Sequence, residues 1–547
     1  MAYSMKLFGS RSTRTHRFER AILPALALLG CQQSPTARGD KSPANLHVAI
    51  NDTPANSVAS LRMIPVPPED GKKLAPLAMG VAVRARPDRN SNLVGLLRVG
   101  SRVARSEQII SREGCSGGWY AIRPIGFVCS DQDVTTDLQH PIARAISVEP
   151  DRTKPMPYRY GFLRAIAPNY LRVPSVEEQH KFEARLERHL RNWKKLSSTW
   201  DQVESGANDV PLDSNGLARE DGHPLTKITD SDIKAFPSLD GDRIPWWLSP
   251  RRQIPNLSNF KAPEYAVIAD RMKRHAGVAI VGSFLAGSQT HERRFAITTD
   301  ARLIPADKIK PYSGSSFHGQ DLRKVGLPIA FVRSKEARSW RLENGRLLPN
   351  ERVNWREFVA LSGVVNEFRG KRMVKTRDGR WLESDDLWVA ANPSSLPPWS
   401  SKNVHWIDVG INNQVMVLWE GQHPIYATLV STGRDGLGDP QTTHSTPVGT
   451  FRIYQKHTTS TMDSDVANEE FELRDVPWVM YFKGGFALHG AYWHNEFGRA
   501  RSHGCVNLSP IDARLVFQWS SPQVPEHWHS VTTGSEIDDG TLVNIHP

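Results

Sequence analysis

No run of eighteen or more apolar residues occurs anywhere in the 547-residue chain, so no membrane-spanning helix is predicted. Zinc signatures are missing as well. There is no CxxC pair and no HExxH, so His489, His494, His503 and Cys505 are not read as a metal site although they lie close in sequence. No basic motif interleaved with aromatic residues stands out, which argues against nucleic acid despite a formal net charge of +11. Cysteine is scarce: Cys31, Cys115, Cys129 and Cys505 are all there is. What remains is ordinary for a chain of globular units, 39% hydrophobic and 23% charged. At this length a single hydrophobic core is excluded, and three or four domains are expected.

The first thirty residues differ from the rest. Lys6, Arg11, Arg14, Arg17 and Arg20 form a basic start, and Ala21 to Leu29 is a short apolar stretch, the pattern of a targeting segment. Leu28-Leu29-Gly30-Cys31 resembles the lipobox of bacterial lipoproteins, which implies lipidation of Cys31 and a membrane anchor through that lipid. An ordinary secretory signal cut near Cys31 is the alternative. Gln32 stands where an aspartate would favour inner-membrane retention, so a lipid-anchored periplasmic protein at the outer membrane is expected. Removing residues 1–30 takes away five basic residues and one acidic residue and leaves about +7, a charge suited to an anionic polymer. In an oxidising compartment, Cys115 and Cys129 suit a disulfide that would contribute roughly 3 kcal/mol by chain entropy. Cys505 is then solitary, and a lone thiol there is either buried and inert or kept for chemistry.

Residues 31–75, rich in Pro, Ser, Ala, Asn and Lys, read as a flexible tether. Over 76–135, Val83-Arg84-Ala85-Arg86-Pro87, Gly118-Trp119-Tyr120 and Gly126-Phe127-Val128 resemble a bacterial SH3-like domain, which implies either a wall- or peptide-binding module or a spacer. Residues 136–259 read as a connecting region with one helix near 175–196, started by a Ser175/Glu178 capping box and carrying Phe182, Leu186, Leu190 and Trp193 as a core stripe. Ser205 to Asp242 reads as loop. Residues 260–392 predict further SH3-like or small β domains, and prolines mark a linker before the last unit, 403–547. The fold class expected is mainly β and multidomain: small barrels, then a mixed-sheet catalytic domain with few helices.

The last unit carries the chemistry. Ser431-Thr432-Gly433, Thr446-Pro447-Val448-Gly449-Thr450-Phe451, Leu488-His489-Gly490 and Ser502-His503-Gly504-Cys505-Val506-Asn507 follow one another in that order. Together they resemble the L,D-transpeptidase (YkuD-type) catalytic domain, whose STG, TPxGxF, HG and SHGCxN motifs share this order. An acyl-transfer thiol needs a base, and a histidine from a neighbouring strand can serve. The resemblance assigns Cys505 as nucleophile and His489 as base. The N–H groups of Gly504 and Cys505 are the candidate oxyanion donors, and the Ser502 carbonyl is expected to hold the histidine. His503 has two readings, orienting the loop or the base, or simply packed. Arg501, Asn507 and Gly490 are the candidate substrate-binding residues; Asn507 is also expected to fix the loop after the cysteine, and for Arg501 a merely solvated side chain is the alternative. Residues 457–475, polar and acidic, read as a loop, either a lid or a surface insertion. Ser509, Pro510 and Asp512 predict a helix start, and Gly540 to Ile545 a closing strand.

The resemblance implies a cofactor-free reaction on peptidoglycan stem peptides. Cys505 would attack the bond before the terminal D-alanine of a tetrapeptide stem, and an amine on another stem would resolve the thioester into a 3→3 cross-link. Acylation of Cys505 by carbapenems is implied too. Two rivals stand beside this: the same acyl-enzyme used for hydrolysis or for anchoring a protein, and a wall-binding structural lipoprotein whose catalytic domain has decayed. The oligomeric state is left open.

Overall fold

Strands of two to thirteen residues carry most of the regular structure, and helices are few. The computed structural model describes residues 64–199, 243–257, 263, 265–402, 404–464, 471–534 and 539–547. The targeting segment, Cys31, most of the tether and the 205–242 loop lie outside the described residues.

The N-terminal unit runs from Lys73–Pro76 to Val134–Thr135 in seven short strands, with Leu74, Val83, Leu97 and Val128 in its core. Cys115 and Cys129 are joined by a disulfide. The expected connecting region holds more than a helix. Arg159–Leu163 and Ala167–Tyr170 are strands, paired with Gly277–Leu285, Ile309–Tyr312, Ile268–Met272 and Leu303–Pro305 in a second β unit.

The helix expected over 175–196 is broken in two: α1 (Val176–Phe182) and α2 (Leu186–Thr199). Ser175 and Glu178 form the capping box at its start. The break falls where Glu183 leaves the helix extended and Arg185 takes φ 57°. Glu183 is drawn inward instead, onto Arg293 at 2.8 Å and Lys308 at 2.7 Å. Arg293 also holds Asp307 at 2.7 Å and Gln179 at 2.8 Å, and Tyr170 donates to Glu183. Satisfying this buried charge outweighs three more residues of helix, because an unpaired buried carboxylate would cost several kcal/mol.

Residues 329–390 form a third unit, a seven-stranded antiparallel sheet. The C-terminal unit is built on two sheets. One orders β1 (His405–Gly410), β2 (Val415–Glu420), β3 (His423–Leu429), β4 (Gly449–Arg452) and β10 (Leu542–His546) as β3-β2-β1-β10-β4, with Gln320–Asp321 added beside β3. The other runs β8-β7-β6-β5-β9, from β5 (Gln455–Ser464), β6 (Phe471–Lys483), β7 (Phe486–Gly490), β8 (Val506–Leu508) and β9 (Ser530–Thr532). Helix α3 (Pro510–Trp519) packs on β6 and β7 through Ala513, Val516 and Phe517. Ser509 caps its start by accepting from Asp512 N–H, and Pro510 fills the first turn, where its missing N–H costs nothing. Lys456 reaches the other end, donating to Ser520 O at 2.7 Å, where the helix presents unpaired carbonyls.

Among the described residues of 457–475, strand replaces the expected loop. All but 465–470, which lie outside the described residues, belong to β5 and β6, paired from Gln455↔Tyr481 to Ser464↔Phe471. These strands weld the units together. β9 pairs with the N-terminal strand at Gly95↔Val531 and Leu96↔Ser530, and β6 meets the second unit at Gly277↔Leu473, so one sixteen-stranded sheet crosses three units. Asp475 sits at that junction. It takes hydrogen bonds from Thr459 (2.8 Å), Thr299 (2.6 Å) and the Arg98 guanidinium, while Tyr160 donates to its carbonyl at 2.7 Å. Burial alone would raise this carboxyl, but Arg98 and the hydroxyls hold it at about 2.

Candidate active site

Strands β7 and β8 run parallel, with Leu488 opposite Val506 and His489 opposite Asn507. Side chains alternate along a strand, so position 507 shares the face of position 489. Cys505, in the bend immediately before β8, belongs to the same buried cluster as Ala487 and Trp493, and the His489 ring stacks on Trp493. Both are buried, at 1% and 2% exposure. The thiol points toward Gly485 O, 3.8 Å away. The His489 ring stacks on Trp493 at 5.5 Å, and burial pushes it down to about 4. It is therefore a neutral imidazole at physiological pH, the form that accepts a proton.

The four motifs converge because each ends on a shared hydrogen-bond path. Ser431 and Asn507 exchange both backbone bonds at 2.9 Å, and Gly433 bridges Ser502. Gly433 N–H donates to Thr446 Oγ1, which donates to Gly504 O, both at 2.8 Å. Gly504 has φ 115°, and a Cβ there would stand 2.6 Å from the Phe486 ring, so only glycine fits this turn.

Several residues occupy other places than those expected. Gly504 N–H does not face an open oxyanion position; it donates to Ser502 Oγ at 3.0 Å. The Ser502 carbonyl accepts from Arg434 N–H rather than from a histidine, and its hydroxyl donates to Cys505 O. Gly490 is packed against Pro477 and Ala513. Asn507, 3% exposed, is committed to His494 at 2.9 Å. Arg501 pairs with Glu496 at 3.8 Å, and Arg499 shares the same carboxylate at 3.2 Å. His503 is bracketed by the rings of His444 and Phe471.

His494 is the residue the motifs did not single out for the site. Its Nδ1 accepts from Glu496 N–H at 3.1 Å, and its Nε2 meets the Asn507 side-chain amide at 2.9 Å. Burial, then Arg501, holds it well below its ordinary range. The loop carrying it is gripped from the third unit. The Arg356 guanidinium donates to Asn495 Oδ1 (2.8 Å), to Asn495 O and to Phe497 O (3.1 Å), and lies 3.8 Å over the Trp355 ring. The Trp388 ring closes on Gly498 where a Cβ would be 2.4 Å away. Gln414, also missed, braces the other side: its amide pairs with both Thr432 N–H (2.9 Å) and Thr432 Oγ1 (2.5 Å). Neither Arg356 nor Gln414 has a local sequence signal.

Comparison with known proteins matches residues 404–545 to the YkuD family, an L,D-transpeptidase catalytic domain. The Bacillus subtilis (strain 168) protein YciB, whose name assigns it provisionally to the L,D-transpeptidases, is 28% identical over 151 residues, 26% of this chain and 71% of that one. Among solved structures, the catalytic domain of the E. faecium L,D-transpeptidase is 21% identical, over 26% of this chain and 98% of that one, with a TM-score of 0.20. The L,D-transpeptidase of Xylanimonas cellulosilytica DSM 15894 (residues 123–326) is 19% identical, over 29% of this chain, with a TM-score of 0.20. This chain covers 64% of that one, less than two thirds of its length.

Proposed function

We propose that the L,D-transpeptidase-family domain over residues 404–545 is a working enzyme that carries a peptidoglycan stem peptide as a thioester on Cys505. The observation that supports this most is the pairing of β7 with β8, with Cys505 at the head of β8 in the buried cluster of Trp493, on which the His489 ring stacks. His489 takes the thiol proton as the sulfur attacks the carbonyl before the terminal D-alanine of a tetrapeptide stem. The tetrahedral oxyanion collapses, the C–N bond breaks, and the leaving amine takes that proton from the imidazolium. An amine of a second stem then attacks the thioester, gives its proton to His489, and releases the thiolate with a 3→3 cross-link formed. His494 and Asn507 keep the loop between base and nucleophile in register. Because the sulfur is buried, the side chains over it must move aside for substrate. The Cys115–Cys129 disulfide supports placing this chemistry outside the cytoplasm, with Cys31 as the lipid anchor.

The test is to incubate the full chain with a disaccharide-tetrapeptide and weigh the products. A dimer lacking one D-alanine is the expected result, and its absence from the Cys505→Ala variant ties it to the thiol. Monomeric tripeptide would make water the acceptor. Cross-linking by Cys505→Ala would overturn the assignment.

A further inference from the structure

Away from Cys505, a cluster of ligand-bearing side chains lies beside residues of the Arg293 ion knot. There His180 of α1, Glu187 in the first turn of α2, and His291 offer three ligand atoms that all lie within 4.8 Å of one another. His291 ends a short turn, Ser288–Thr290, in the connection between Gly277–Leu285 and Arg294–Thr298. His180 Nε2 stands 3.3 Å from a Glu187 carboxylate oxygen. The two imidazoles meet edge to face with centroids 5.4 Å apart. The second observation is independent of this proximity: His291 Nε2 is buried and has no hydrogen-bond partner among the described residues. A buried ring nitrogen with no partner costs free energy unless something fills the place beside it.

We propose that His180, Glu187 and His291 bind a divalent transition-metal ion of the zinc class. Two imidazoles and one carboxylate are a donor set such ions prefer, and three protein ligands leave a fourth tetrahedral position for water. Metal–nitrogen and metal–oxygen bonds of about 2 Å require the three atoms to close to about 3.4 Å from one another. His180 and Glu187 side chains are roughly half exposed and free to make that small adjustment. The ion would clip the break between α1 and α2 to the 288–291 turn. The same break brings Glu183 to Arg293, so the clip lies over the knot that fixes the second unit. Spacing in the sequence does not reveal it, because the three ligands come from separate elements.

The experiment uses the full chain without a histidine tag, stripped with a chelator and titrated with Zn2+ against a chromophoric competitor. One equivalent bound at micromolar or tighter affinity is expected, with a thermal midpoint that rises on adding Zn2+. His291→Ala and Glu187→Gln should each weaken that affinity at least tenfold and abolish the Zn2+-dependent rise, while their metal-free midpoints stay near that of the parent. Glu187 is exposed, so its variant tests the site even if His291→Ala folds poorly. The proposal falls if the parent binds no equivalent, or if both variants keep the parent's affinity and midpoint shift.

Discussion

The ion knot around Arg293 and the cluster around Cys505 are both buried and both polar, yet they are built from opposite kinds of group. In the knot cations answer carboxylates, with Gln179 and Tyr170 as neutral partners: Glu183 and Asp307 are held below their ordinary carboxylate range by Arg293 against the cost of burial. In the cluster the members are neutral, and burial drives His489 and His494 away from charge. A saturated ionic network has nothing left to offer a substrate, and it fixes a fold. A neutral network of thiol, imidazole and amide keeps groups that can still gain or lose a proton, which is the condition for catalysis. The same chain thus separates rigidity from reactivity by choosing which buried groups it ionises.

The sharpest way to break the comparison is Cys505→Ala. Thioester formation, followed by intact-protein mass after exposure to a carbapenem or to tetrapeptide substrate, should vanish, while the denaturation midpoint stays within about 1 kcal/mol of the parent, since one small buried group is exchanged for another. Arg293→Met should do the reverse. Removing one partner of a buried ion pair leaves carboxylates uncompensated and costs about 3–5 kcal/mol, read as a lower urea midpoint, with turnover of the fraction still folded unchanged. If Arg293→Met lowered turnover without lowering stability, the division of labour drawn here would be wrong.

How far the sequence discloses this division depends on distance along the chain. The four motifs around Cys505 are local patterns, and glycine is demanded at 433 by backbone approach and at 504 by its positive φ and the Phe486 ring, so that site is legible from its residues. Mainly β architecture with few helices is legible for the same reason, from short alternating runs between turn residues. The strand nature of 457–475 is hidden because polar side chains along it are buried: Thr459 and Asp475 are met by Arg98 of the N-terminal unit, and Asp475 also by Thr299 of the second. Nothing near Asp475 in sequence announces Arg98. The break of the 175–196 helix likewise answers to Arg293, and the pairing of Gly95 with Val531 has no local signature at all.

Acidification sharpens the contrast, because the two regions titrate in different windows. His489 and His457 are each held near about 4 by burial, and His529 and His494 lie well below their ordinary range. These rings bind a proton more readily in the unfolded chain, so stability is whole above about pH 6.5 and drains as pH falls toward about 4. Between pH 6.5 and 5, His489 and His457 should each withdraw roughly 2 kcal/mol, at about 1.4 kcal/mol per pH unit. The knot loses its carboxylates only below about pH 4.5, the ordinary range from which they are depressed. Urea midpoints at pH 7, 6 and 5 measure the first window. A flat profile there would mean that the buried histidines are charged, and would remove the neutral-cluster account.

Arg356 offers the finest test, because it belongs to the third unit yet acts on the loop of the fourth. Burial brings its guanidinium down to about 10, so it remains charged at any pH where the enzyme would work. Its donors fix Asn495 and Phe497, and through them His494, which in turn holds Asn507 two residues past Cys505. Arg356→Ala should lower kcat about tenfold, equivalent to about 1.4 kcal/mol in the barrier, with a smaller effect on KM because no substrate contact is lost. Arg356→Lys should recover little, since a single ammonium cannot reproduce the fork that reaches three acceptors while lying flat on Trp355. If Arg356→Ala left kcat untouched and only lowered the thermal midpoint, the third unit would be a brace for folding and not for the active-site loop.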